Sequence, residues 1–281
     1  MPKLPIFNDF FSRIAAIAAL VVLLTALLGG CAWPFFKHTQ TDLIICVPGS
    51  LKPLIERFSA IYESQNSDSR FIIKDVSSRY ALQMVADKSV DAALTYYNND
   101  SSFGLLSRQV GVMPYVFFVN STIGVKNLTS AQIAGILSEK ITNWREICGT
   151  DEEIVVLHPN YNTALPQAVR AQFLNNAQFP GLPLHSDESA DLPERVERTH
   201  GAIAYQDVIA LDKMYGNNYS IEIVSIDGVL PYHENLQNGK YQAVLPINLI
   251  YSRNTPGNEK MIEFLIGKLT ESDFFLRNRI K

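Results

Sequence analysis

Two periodicities alternate along this chain. Short, largely apolar runs that read as buried strands occur at 42–47, 71–76, 90–95, 112–120, 154–157 and 241–251. Between them, apolar residues recur at helical spacing. Leu54, Phe58 and Ile61 share a face of a helix over 53–62, with Pro53 well placed at its start. Helices are also predicted over 80–86, 166–174 and 258–269, the last with Met261, Ile262, Leu265 and Leu269 apolar. A further helix carries Ile133, Ile136 and Leu137. Thr129 or Ser130 can cap it, Gln132 follows Thr129 by three as in a capping box, and it should stop near Lys140. Trp144 comes next, a large aromatic that must be buried. The strand–helix order over 42–95 implies a parallel sheet. A loop opens at the C-terminal end of the 154–157 strand, the end at which open α/β sheets bind ligands.

One apolar run is of another kind. Ile14 to Leu28 is broken only by Thr25 and follows Lys3 and Arg13. It is shorter than the about 20 residues of a membrane span and fits the apolar region of a signal peptide. It ends Leu28-Gly29-Gly30-Cys31, which resembles the bacterial lipobox. That resemblance implies cleavage after residue 30, lipid on Cys31 and a tether over 31–41 carrying Trp33, Phe35 and Phe36. The expected location is the bacterial cell envelope, on its periplasmic or extracytoplasmic face. Ala32 after the cysteine favours the outer membrane of a Gram-negative cell.

Cleavage takes Lys3, Arg13 and Asp9 from 24 basic and 28 acidic residues, leaving 22 and 27, a net charge of −5. A mildly acidic chain has no global field for nucleic acid, though local geometry can still hold an anion. His38, His185, His200 and His233 are scattered and give no metal spacing, and no cofactor is expected. An oxidising compartment would allow one disulfide between Cys46 and Cys148, but their placement reads as two separate buried thiols. No Gly-x-Ser-x-Gly elbow, HExxH or paired-carboxylate motif argues for an enzyme.

The stretch from Leu128 to Pro159, read as Leu-Thr, helix, Ile-Thr-Asn-Trp, strand, resembles the second domain of phosphate-type substrate-binding proteins of ABC importers. Weaker echoes extend over about 42–270, among them Val90-Asp91-Ala92 and His200-Gly201-Ala202-Ile203-Ala204-Tyr205. The resemblance implies an α/β, two-lobed class II periplasmic-binding-protein fold, each lobe a mostly parallel sheet flanked by helices. The lobes would comprise 42–116 with 206–281, and 117–205. It also implies a small anionic solute such as phosphate as ligand, held between the lobes, and an ABC permease as partner.

Residue by residue, the resemblance carries over unevenly. Pro48-Gly49-Ser50 before Pro53-Leu54 resembles the family's first loop, and a strand, Gly-Ser turn and helix start form an anion-site geometry. Ser50 reads equally as a ligand contact and as a helix cap. Ser77 or Ser78 matches a ligand serine of the second loop. Thr95 keeps a hydroxyl at the third, where Tyr96 replaces the aspartate of some phosphate binders; Tyr96 and Tyr97 also read as rim packing. At the fourth, the family's Arg and Ser-Gly-Thr give way to His158 and to Asn162-Thr163-Ala164. Arg is a permanently charged, bidentate fork, whereas His charges mainly below about pH 6.5. His158 would thus make phosphate binding weak and acid-favoured. Arg79 reads as a surface ion-pair partner or a substitute for the missing charge. The leading expectation is a non-catalytic solute-binding lipoprotein with an altered oxyanion site. The alternative is a lipid-anchored sensory or partner-binding module with a decayed ligand cleft.

Overall fold

In the computed structural model the described residues are 40–97, 104–159, 163–181, 192–215, 219–252 and 257–271. Residues 1–30, Cys31, the tether up to residue 39 and Asn162 lie outside them, as do His38 and His185. The described chain forms nine strands: β1 (Thr41–Val47), β2 (Ser69–Asp75), β3 (Ala92–Thr95), β4 (Leu106–Asn120), β5 (Asn127–Leu128), β6 (Val155–Leu157), β7 (Ala202–Asp207), β8 (Ile221–Ile226) and β9 (Val244–Tyr251). The helices are α1 (Lys52–Gln65), α2 (Ser78–Ala86), α3 (Ser130–Leu137), α4 (Ala164–Phe173), α5 (Leu192–Arg198), α6 (Val208–Tyr215), α7 (His233–Gln237) and α8 (Glu259–Glu271).

The main hydrogen-bonded path runs β2-β1-β3-β9-β4-β7-β6, with β8 bonded to β4 and β5. Ladders are parallel at β1–β2, β1–β3, β5–β8 and β6–β7 and antiparallel wherever β4 or β9 pairs with another strand. Strand β4 belongs to both halves of this arrangement. Its Leu106–Pro114 portion pairs with β9, and Tyr115–Asn120 pairs with β7 and β8.

Strand β1 explains why the first half is a layered α/β unit. Leu43, Ile45 and Val47 face the main core with Leu54, Ile55 and Phe58 of α1. Cys46, on the opposite face, packs with Ala81 and Val85 of α2 and Ile250 of β9. Both faces are therefore covered by helices, and a parallel strand so covered reads as a continuous apolar run. Tyr62 of α1 fills the remaining gap, its ring 5.8 Å from Phe71 and 4.9 Å from Phe264 of α8.

The second half is built around Trp144. Helix α3 starts with the expected capping box, the Thr129 Oγ1 accepting from the Gln132 N–H and Gln132 Oε1 accepting from the Thr129 N–H. It ends at Leu137, one turn short of Lys140, because Glu139 turns into the left-handed region and the Lys140 N–H folds back onto the Gly135 carbonyl. Trp144 is fully buried, and its Nε1–H donates to the Gly201 carbonyl at 2.8 Å. The same carbonyl accepts from the Val155 N–H, so one oxygen ties the tryptophan loop, β6 and the start of β7 together.

The two cysteines are separate and free, but only Cys46 is buried, correcting the expectation of two buried thiols. Burial pushes the Cys46 thiol up, with the Lys74 charge partly opposing it. Cys148 is exposed because it caps the short 3-10 turn Trp144–Ile147 in a left-handed conformation. Among the described residues no helix is long and apolar enough to cross a membrane, and no group of three His, Cys, Asp or Glu could hold a metal ion.

Candidate functional site

The loop after β1 turns tightly, the Leu51 and Lys52 N–H groups both donating to the Pro48 carbonyl. Leu51, not Ser50, occupies the cap position of α1, and no side chain caps that helix. Of the two readings of Ser50, the cap is thus excluded. Its Oγ instead shares a hydrogen bond with the Tyr96 hydroxyl at 2.7 Å. Gly49 lies close to Asp75, where a Cβ would stand 3.0 Å from the exposed Asp75 Oδ2.

Tyr96 follows the C-terminal end of β3, and two predicted residues stand behind it. Ser78, buried in the first turn of α2, accepts from the Tyr96 N–H at 3.3 Å. Thr95, also buried, accepts from the Tyr97 N–H at 3.0 Å. Both hydroxyls orient the backbone that carries Tyr96. Ser77 is exposed at the cap position of α2, and its side chain makes no capping bond. Arg79 is exposed, and its charge acts on the Tyr97 hydroxyl, partly opposing the upward push of burial there.

Ser50, Tyr96 and Thr163 line one cavity of about 290 Å³. Thr163 stands at the cap position of α4 without a capping bond to its own helix. Asp207, at the end of β7, completes the wall with the buried Gln206 and with Ala210 of α6. Asp207 Oδ1 accepts from the Ala210 N–H at 2.9 Å, which fixes the carboxylate at the start of α6. The loop before α1 and the starts of α4 and α6 thus border a single cavity. The first N–H groups of α1 turn back onto the Pro48 carbonyl and the Ala210 N–H of α6 is taken by Asp207, so it is the start of α4, capped by no side chain, that presents N–H groups and a positive dipole end to an anion. Burial, and then the Asp207 charge, push the Tyr96 hydroxyl well above the usual phenol range, with the Ser50 bond partly opposing them. Tyr96 is therefore neutral at physiological pH and available as both donor and acceptor.

His158 does not reach this cavity. It is 4% exposed, with Nδ1 2.8 Å from the Tyr205 hydroxyl and its ring 4.2 Å from that of Phe179. It borders a different cavity, of about 280 Å³, with Phe179 and Glu139. Asp207 and Gln206 were not singled out from the sequence. Two signals could have found Asp207: an acidic residue at a helix start, and the C-terminal end of a buried strand.

The chain is similar to known proteins in sequence and fold. The chain is 25% identical over 213 residues to the phosphate-binding protein PstS of Bacillus subtilis, covering 73% of this chain and 68% of that one. It is 22% identical over 272 residues to the PstS of Borreliella burgdorferi, covering 91% and 93%. A crystal structure of a putative phosphate ABC transporter substrate-binding protein with bound phosphate, from Clostridium perfringens, superposes with a TM-score of 0.67 at 21% identity, over 80% of this chain and 93% of that one. The fold is therefore the two-lobed class II periplasmic-binding-protein fold. Residues 38–267 match the family model described as PBP superfamily domain. The chain belongs to that superfamily.

Proposed function

We propose that this protein is a non-catalytic, extracytoplasmic solute-binding component of an ABC importer that takes a phosphate-type oxyanion in the cavity bounded by Ser50, Tyr96 and Thr163. The observation that carries this reading is the meeting of three hydroxyls, those of Ser50, Tyr96 and Thr163, with the start of α4 at one cavity. The names of the relatives supply the permease partner and the phosphate class. Ser50 would belong to the first lobe (42–116 with 206–281) and Thr163 to the second (117–205). The pairing of β8 with β4 and β5 supports moving Ile221–Ile226 into the second lobe.

The oxyanion site is altered relative to the family pattern. Among the described residues lining the cavity there is no Lys or Arg, and His158, at the position of the family's Arg, packs on Tyr205 and Phe179 instead. Binding then rests on neutral donors and helix dipoles, which supports weak affinity for a bare anion.

Saturating inorganic phosphate is expected to raise the unfolding midpoint, since a ligand at 100 times its Kd adds about 2.7 kcal/mol. Ser50→Ala should weaken binding about tenfold, the worth of one hydrogen bond to a charged ligand. Crystals grown with phosphate should hold it between Ser50 and Thr163. No stabilisation by millimolar phosphate, or phosphate seated within one lobe, would overturn this reading.

The protein is further proposed to be lipid-anchored through Cys31, on the strength of the Leu28-Gly29-Gly30-Cys31 sequence after a short apolar run. Cys31→Ser should leave the uncleaved precursor or release the chain from membranes. An unmodified Cys31 in the mature wild-type protein, read by mass spectrometry, would rule the anchor out.

A further inference from the structure

The described lining of the cavity at Ser50, Tyr96 and Thr163 holds no Lys or Arg, so any positive charge that acts on an anion there acts from beyond its wall. Lys52 and Arg79 stand in the first turns of α1 and α2, the two helices tied to the Ser50 and Tyr96 side of that wall. Lys52 lies 4.0 Å from Glu56 on its own helix, which offsets much of its field. Arg79 is exposed and makes no ion pair among the described residues. Its reading as a surface ion-pair partner thus has no partner there, and its reading as a substitute charge remains.

The neighbours of Arg79 in sequence hold it close to the cavity. Ser78, the residue before it, is buried and accepts from the Tyr96 N–H at 3.3 Å, so the first turn of α2 is bonded to a residue of the wall. Tyr97, next to Tyr96, is fixed by two further bonds. Its N–H donates to Thr95 Oγ1 at 3.0 Å, and its carbonyl accepts from Asn248 Nδ2 at 3.1 Å. Burial pushes the Tyr97 hydroxyl up and the Arg79 charge opposes it, which puts the guanidinium within electrostatic reach of this corner.

We infer that Arg79 is a specificity-determining residue of the anion site, the exposed cation that draws a phosphate-type oxyanion toward the cavity from the start of α2. The inference rests on the proposed oxyanion reading and adds the source of the charge that His158 does not supply. An exposed guanidinium acts through water, where a charge steers approach and is screened by salt, whereas a buried bidentate fork would hold the anion by contact. Affinity owed to Arg79 therefore depends strongly on ionic strength. Lysine keeps the charge without the fork and should serve nearly as well.

The test uses the full chain in detergent, with calorimetric titration of inorganic phosphate at about 10 mM and about 1 M sodium chloride, where charges are screened over about 30 Å and about 3 Å. At the lower salt, Arg79→Gln is expected to bind phosphate about tenfold more weakly than the wild type, and at the higher salt to come within about twofold of it. Arg79→Lys should stay within about threefold of the wild type, and Arg79→Glu should bind more weakly than Arg79→Gln. The side chain is exposed, so thermal unfolding should be unchanged in all three variants. Wild-type affinity in Arg79→Gln at the lower salt, with Ser50→Ala still weakening binding, overturns the inference and leaves the oxyanion reading standing. Equal weakening of Arg79→Gln at both salts, or loss of binding in Arg79→Lys, assigns Arg79 to direct contact or to structure and also overturns it. Failure of the wild type to bind phosphate at either salt overturns the oxyanion reading itself, and this inference with it.

Discussion

Trp144→Ala is expected to lower the free energy of unfolding by about 3–5 kcal/mol, the usual range for emptying a buried aromatic site. The indole is fully buried, and Gly149 packs so closely on it that a Cβ there would lie 2.8 Å from the Trp144 Cβ. Collapse into the space is resisted because the backbone is pinned from two directions. The Trp144 N–H donates to the Glu152 carbonyl, and the Gly149 N–H donates to the Trp144 carbonyl. Trp144→Phe separates packing from hydrogen bonding. It keeps most of the apolar volume and loses the Nε1 bond to Gly201, whose carbonyl still accepts from Val155, so the added cost of that bond should be only about 1 kcal/mol. Since whole domains are stable by about 5–15 kcal/mol, the alanine variant should be visibly shifted in urea unfolding. A loss below about 1 kcal/mol would show that the indole is not part of the second half's core.

Gly201→Ala should cost as much by a different route. Gly201 has φ +72°, and a Cβ on it would stand 1.9 Å from the Glu153 carbonyl oxygen. The left-handed conformation alone costs a non-glycine residue about 1–2 kcal/mol. The collision adds to this, because its target is backbone and can yield only by displacing the segment that leads into β6. A total above about 3 kcal/mol is expected, in the range reserved for strained or overpacked sites. Gly124→Ala is the matched control: φ is +76°, and nothing lies within 4 Å of the added Cβ. The difference between the two midpoints in denaturant isolates the collision. If the two variants unfold together, the close approach of Gly201 to Glu153 is not present in the folded protein.

Local chemistry is what made parts of this chain readable. The capping box of Thr129 and Gln132 spans three residues and needs no distant partner. The alternation of apolar runs with helical spacing over 42–95 reproduced β1, α1, β2, α2 and β3 in order, because both faces of β1 and the inner stripe of α1 must be apolar to be covered. The segment from 192 to 240 was harder. Helices α5 and α7 have seven and five residues, too few turns for a period to register, and β8 is only half-buried along most of its length, so its pattern is mixed.

Sequence by itself determined the α/β class, the succession of strands and helices along the first half, the burial of Trp144 and the family to which the chain belongs, since each rests on neighbours within a few residues or on a phrase read in order. The tertiary structure alone decided the site. Ser50 and Tyr96 are 46 residues apart, and His158 and Tyr205 are 47 apart, so no local pattern could state that the first pair meets in the cavity while the second turns away from it. Asp207 joins Tyr96 from another strand end because β4 runs between β9 and β7 and brings both halves to one place. A side chain's own identity limits what chemistry it can do, but its partners, burial and field are set by residues far along the chain. That is why the replacement of Arg by His158 was legible, and the carboxylate that now gives the cavity its charge was not.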